Sequence, residues 1–183
     1  VVLKNGITSI GDYAFSKFSV AIENIDLPET LTEIGDYAFA ECTVLTGTLV
    51  IPENVVTVGN YAFSGCTGIT SLVVGNKTEV LGNHAFENCT GITSLNMGDG
   101  VEAIGDYAFR GCTGITYLDI SSETVGIGNY AFAGCTGLSG TLTIPEKVTI
   151  IGGHAFEGCT GFTGNLKIPN SVINIGNQAF AFC

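Results

Sequence analysis

Seven cysteines stand at Cys42, Cys66, Cys89, Cys112, Cys135, Cys159 and Cys183, in a chain with only six lysines and arginines. Thiols at regular spacing raise three chemistries: a metal centre, a disulfide framework and a nucleophile. The spacing speaks against the first two. Zinc needs ligands converging on a tetrahedron, whereas steps of 23 or 24 residues give one thiol per repeat and set the side chains parallel. No Cys-x-x-Cys occurs. A disulfide needs β-carbons about 3.8 Å apart and aimed at each other; stacked coils hold them further apart. The count is odd, and Phe18 fills the equivalent slot of the first repeat, where it can neither bridge nor ligate. Reduced cysteine packs as a small hydrophobe, so the ladder reads as core thiols, with terminal Cys183 the reactive one.

The other chemical groups fare no better. His84 and His154 occupy a column otherwise filled by Tyr13, Tyr37, Tyr61, Tyr107 and Tyr130. They stand three repeats apart, at least about 15 Å at strand spacing, so they share no acid–base or metal chemistry. They read as amphipathic side chains covering the outside of the stack. No nucleophile, base and orienting group can be assembled into one set. One acidic residue per repeat falls short of the 6–8 oxygens of a calcium site, and the glycines lack the Gly-Lys-Ser/Thr ending of a phosphate loop. No cofactor or metal is expected. Asn76-Lys77-Thr78 fits an N-glycosylation acceptor, a short motif relevant only in a eukaryotic secretory host.

Composition bounds the partners. The net charge is −11, and the six cations, Lys4, Lys17, Lys77, Arg110, Lys147 and Lys167, are scattered. Nucleic acid and anionic membrane surfaces need clustered cations. No apolar run approaches the roughly 18 residues of a spanning helix. The chain begins at Val1, without an initiator methionine and without visible polar caps at either end, and is expected to be a mature form or a fragment of a longer surface protein.

What positions these residues is a repeat. The pattern Ile-Gly-x-x-Ala-Phe returns with its ring at Phe15, Phe39, Phe63, Phe86, Phe109, Phe132, Phe156 and Phe180, in steps of 23 or 24. A fixed period of this length marks a solenoid. Each unit reads as a half-buried strand such as Ile69–Val74, then a turn, then a second short extended piece such as Val55–Val58. A glycine follows, needed for positive φ or close backbone approach. Next comes Asp or Asn, a helix N-cap type, then a turn or two of helix carrying Ala-Phe. Gly65, Asn88, Gly111, Gly134 and Gly158 stand where a left-handed residue would end that helix. The length difference falls between the phenylalanine and the next strand, and Pro28, Pro52, Pro145 and Pro169 follow the strands of the longer repeats. The expected fold is an α/β repeat: a right-handed solenoid of about eight 23–24-residue coils, each with short parallel strands and a short helix, spanning 1–183 as one domain. Every phenylalanine would cover the next, each buried ring contributing roughly 1.5–3 kcal/mol. The strands would form one continuous sheet face about 35–40 Å wide.

Leu142-Thr-Ile-Pro145 followed by Val148-Thr-Ile-Ile-Gly-Gly-His-Ala-Phe-Glu-Gly-Cys159 resembles the BspA-like, or treponemal-type, leucine-rich repeats, and the resemblance covers essentially the whole chain. It implies a secreted or cell-surface solenoid, of the kind found as adhesins of mucosal bacteria and protists. Some of these bind host matrix or plasma proteins, or other cells. It supplies no catalytic residues and fixes no ligand.

A curved solenoid binds through its sheet face. One outward column reads Asn24, Thr48, Ser71, Ser94, Tyr117, Thr141 and Asn165; its neighbour reads Asp26, Val50, Val73, Asn96, Asp119, Thr143 and Lys167. Tyr117 is the large ring in a small polar column, and tyrosine is enriched at binding hot spots. The candidate ligand site is therefore Tyr117, Asp119, Asn96, Ser94, Thr141, Thr143, Ser71 and Val73. Through the resemblance, an extracellular adhesion module for a protein or glycan ligand leads. A structural stalk with no ligand is the alternative, and an enzyme or inhibitor scaffold is the weaker third class.

Overall fold

The computed structural model describes residues 3–20 and 25–183. There the backbone winds as a right-handed parallel β-solenoid of about seven turns. Thirteen short strands are formed among the described residues: β1 (Ser9–Ile10), β2 (Glu33–Ile34), β3 (Gly47–Val50), β4 (Thr57–Val58), β5 (Ile69–Val73), β6 (Val80–Leu81), β7 (Ser94–Asn96), β8 (Ala103–Ile104), β9 (Gly126–Ile127), β10 (Ser139–Gly140), β11 (Ile150–Ile151), β12 (Gly161–Phe162) and β13 (Asn174–Ile175). Eight of them pair in the order β1-β2-β4-β6-β8-β9-β11-β13. Eight copies of the motif thus bound seven circuits, one fewer than the repeat count predicts.

The continuous sheet is not the expected one. It is built from the second extended piece, in register Ile10, Ile34, Val58, Leu81, Ile104, Ile127, Ile151 and Ile175. All but the last of these point into the core. The predicted principal face is interrupted instead: β3, β5 and β7 form a three-stranded sheet, β10 and β12 a separate pair, and Thr143 and Lys167 an isolated bridge. The length difference between repeats is absorbed at a register shift between Gly47 and Thr48, where Gly47 takes φ 82°. By the repeat, the apolar segment Val1–Leu3 would be a first strand; its Val1 and Val2 lie outside the described residues.

No helix forms among the described residues. The residue that would open it is left-handed in every coil: Tyr13, Tyr37, Tyr61, His84, Tyr107, Tyr130, His154 and Gln178 have φ of 55–60°. A helix cannot start through such a residue. Alternate amides bond to the next coil, as Tyr13 N–H to the Asp36 carbonyl (2.9 Å) and Phe15 N–H to the Ala38 carbonyl (2.7 Å). The amides between them close four-residue turns, as Ala14 N–H to the Gly11 carbonyl (3.2 Å). The segment is a stack of turns, bonded between coils like a ladder. The Asp/Asn column caps nothing. Each side-chain oxygen accepts from the amide one coil on, from Asp12 to Asp36 through to Asn129 to Gly153, at 2.6–2.8 Å.

The glycine before that column answers the close-approach demand. A β-carbon on Gly59 would lie 2.5 Å from the carbonyl carbon of Gly35, with like contacts at Gly82, Gly105, Gly128 and Gly152. Gly65, Gly111, Gly134 and Gly158 do take positive φ, as does Asn88, closing the turn instead of a helix. The phenylalanines from Phe15 to Phe180 stack face to face with centroids 5.0–5.4 Å apart, and six of them are fully buried.

Candidate binding face and the cleft that divides it

The chemistry-bearing columns hold together as follows. Six cysteines are buried and all seven are free. Each thiol donates to the main-chain carbonyl of the phenylalanine one coil earlier, from Cys42 to Phe15 (2.8 Å) through to Cys183 to Phe156 (3.1 Å). The ladder is therefore polar as well as apolar in its work. Desolvation pushes the thiols up, Cys89 and Cys159 to about 12. Cys183 is exposed, and burial raises it too.

The tyrosine and histidine rings cover no helix; they form a second stack. Tyr13, Tyr37, Tyr61, His84, Tyr107, Tyr130 and His154 lie near-parallel at 4.2–4.8 Å. Their left-handed backbones place them in line, and stacking supports that conformation. Desolvation first, then Tyr61 and Tyr13, raises the phenol of Tyr37. His84 Nδ1 lies 2.8 Å from Glu87 Oε2, and Arg110 donates to Glu87 Oε1 at 3.0 Å while its guanidinium sits 5.7 Å over Tyr107. Sequence spacing singles out His84 but not the buried carboxylate beside it. The signal was available: Glu87 and Arg110 carry opposite charges in the same slot of adjacent repeats. His154 repeats the contact with Glu157 at 3.0 Å. Thr78 of the glycosylation motif is fully buried, its hydroxyl donating to the Val55 carbonyl at 2.7 Å.

The predicted ligand residues share one face but not one sheet. Ser71 and Val73 lie half-buried on β5, opposite Ser94 and Asn96 of β7, which are exposed. Tyr117 and Asp119 follow, both exposed, on a segment that forms no strand, and Thr141 and Thr143 are exposed beyond it. Asn24, the head of the first column, lies outside the described residues. Tyr117 is 64% exposed. Between the Asn96 and Asp119 coils lies a cleft of about 430 Å3, with Asp99 and Ser122 in its wall. Neither residue was singled out from the sequence. Among the described residues no three His, Cys, Asp or Glu side chains group as a metal site would require, and no helix is long and apolar enough to cross a membrane.

The BspA type Leucine rich repeat region matches in six copies over residues 1–116 and 126–183. The chain belongs to that family. A leucine-rich repeat protein from Bacteroides ovatus superposes over the whole chain at 28% identity with a TM-score of 0.74, and the chain spans 58% of that protein's length. The T. pallidum leucine rich repeat protein shares the fold at 24% identity and a TM-score of 0.80, over 96% of this chain and 80% of its own. A leucine rich cell surface protein from Faecalibacterium prausnitzii does so at 22% and 0.62, over 100% and 62%. No curated protein matches the chain.

Proposed function

We propose that this solenoid is a binding and adhesion module of a cell-surface or extracellular protein. It holds a host matrix or plasma protein, or another cell, on the face carrying β3, β5, β7 and Tyr117–Asp119. The observation that carries the reading is Tyr117, 64% exposed in a column of small polar residues and beside an open cleft. An exposed aromatic ring at a concavity is what a protein contact is built around. The surface location accords with the family and with the Faecalibacterium relative, a cell surface protein. The module works as a scaffold without cofactor, not as an enzyme.

A stalk without a ligand is the second reading, favoured by the plain small side chains of Thr48, Ser71, Ser94 and Thr141. Binding of the purified chain to a panel of matrix proteins, plasma proteins and glycans separates the two. Saturable binding supports the adhesion module. A folded chain that binds no member of the panel favours the stalk.

A further inference from the structure

The sheet on the candidate face stops where the repeat alone would continue it. At two successive steps the last residue of the strand segment donates its amide to the next coil, whereas among the described residues the amides of Leu27, Ile120 and Ile144 make no such bond. Ile51 N–H bonds the Val73 carbonyl at 2.8 Å, and Val74 N–H bonds the Asn96 carbonyl at 2.9 Å. The next bond of the series would run from Met97 to Asp119. Among the described residues it is not formed, although Met97 is buried and the 23-residue step sets Asp119 opposite Asn96.

Gly98 stands at this end of the sheet. Its column holds Gly75 and Ser121 beside Pro28, Pro52, Pro145 and Pro169, whose rings fix φ near about −65°. Gly98 takes φ 72° instead, and its amide bonds Asn96 Oδ1 at 3.0 Å. Beyond β7 the segment Tyr117–Asp119 forms no strand, and the cleft lies between the two coils. The family match leaves out residues 117–125, the same segment that walls the cleft.

The opening has a definite chemistry. The edge of β7 facing it lacks the strand partner that β5 supplies on its other side. Asp99 and Asp119 line it with the exposed Tyr117 ring, and no lysine or arginine does. Main-chain groups at an open edge pair with an extended chain. Carboxylates form charge-assisted bonds with a cation, and a tyrosine face attracts one.

We propose that this cleft receives a lysine or arginine side chain carried on an extended segment of a partner protein. The inference rests on the reading of this face as the ligand-binding one and specifies its chemistry.

The probe is a short synthetic peptide of alternating lysine and threonine, titrated by fluorescence anisotropy, with a glutamate-for-lysine peptide as control. It is read against the parent chain, an Asp99→Asn/Asp119→Asn variant, and a Glu33→Gln/Glu102→Gln variant that removes the same charge from β2 and from the residue preceding β8. Saturable binding, weakened about tenfold in the cleft variant and unchanged in the distant one, supports the proposal. Equal weakening in both variants would mean general attraction to an acidic surface and overturn it, as would no binding or no effect of the cleft variant. A panel protein that binds the cleft variant like the parent, but not a Thr48→Arg variant on β3, would keep the sheet-face reading and remove this one.

Discussion

The thiol of Cys89 donates to the main-chain carbonyl of Phe63 in the preceding coil, sulfur to oxygen 3.0 Å. The same carbonyl takes the amide of Cys66 at 3.2 Å, so the thiol fills its second acceptor site. Cys89→Val, apolar and similar in size, removes the donor and is expected to lower stability by about 1 kcal/mol. Cys89→Ser keeps a donor and is expected to cost less. Urea unfolding of the two variants measures the difference. A neutral valine with a costly serine would mean that the cysteine works as a hydrophobe alone.

Those thiols also give the fold an alkaline limit. Burial raises Cys89 and Cys159 from an ordinary 9.0 to about 12. Above the ordinary value the unfolded chain releases protons that the folded chain keeps. The contribution is complete below about pH 9 and is lost as pH rises toward the folded values. The melting temperature is therefore expected to fall progressively above pH 9, and less so in a variant with Cys89 and Cys159 both replaced by alanine, each compared with its own value at pH 7. In the native protein at neutral pH, a thiol reagent should titrate exposed Cys183 rapidly and the six buried cysteines only on unfolding.

Two glycines separate backbone contact from backbone freedom. A β-carbon on Gly105 would lie 2.6 Å from the carbonyl carbon of Gly82, whereas one on Gly126 would meet nothing within 4 Å. Gly105→Ala must push two coils apart and is expected to cost about 1–3 kcal/mol or more. Gly126→Ala, on β9 without positive φ, is expected to be neutral or to stabilise by about 0.4–1 kcal/mol. Thermal unfolding of the pair reads out the contrast; equal effects would contradict the close-approach account.

Much of this architecture was legible because stacking turns period into geometry. The steps of 23 or 24 residues that align the phenylalanines also align the cysteines, and both columns form the ladders the spacing predicts. The helix was misread because Asp or Asn followed by Ala-Phe has the chemistry of a capped helix start. What decides against it is the left-handed backbone of Tyr37 and its column mates, a conformation usually signalled by glycine. Here tyrosine and histidine hold it, through bonds and ring stacking to neighbouring coils that no single repeat contains. The broken face was partly visible: Tyr117 stood out in its column, but Gly98 was one glycine among 26. Its column also holds Gly75, which does not share its positive φ, so residue type alone does not mark the turn.

The central claim is that the face carrying Tyr117, not the eight-stranded sheet, meets the ligand. Surface plasmon resonance against the best-binding matrix or plasma protein tests it with two variants of matched character. Tyr117→Ala/Asp119→Lys alters the candidate face, and Val80→Ala/Glu102→Lys alters the other. The account predicts that the first loses most of the binding, about tenfold or more in affinity, while the second binds like the parent. Loss confined to the second variant, with the first unchanged, would contradict it.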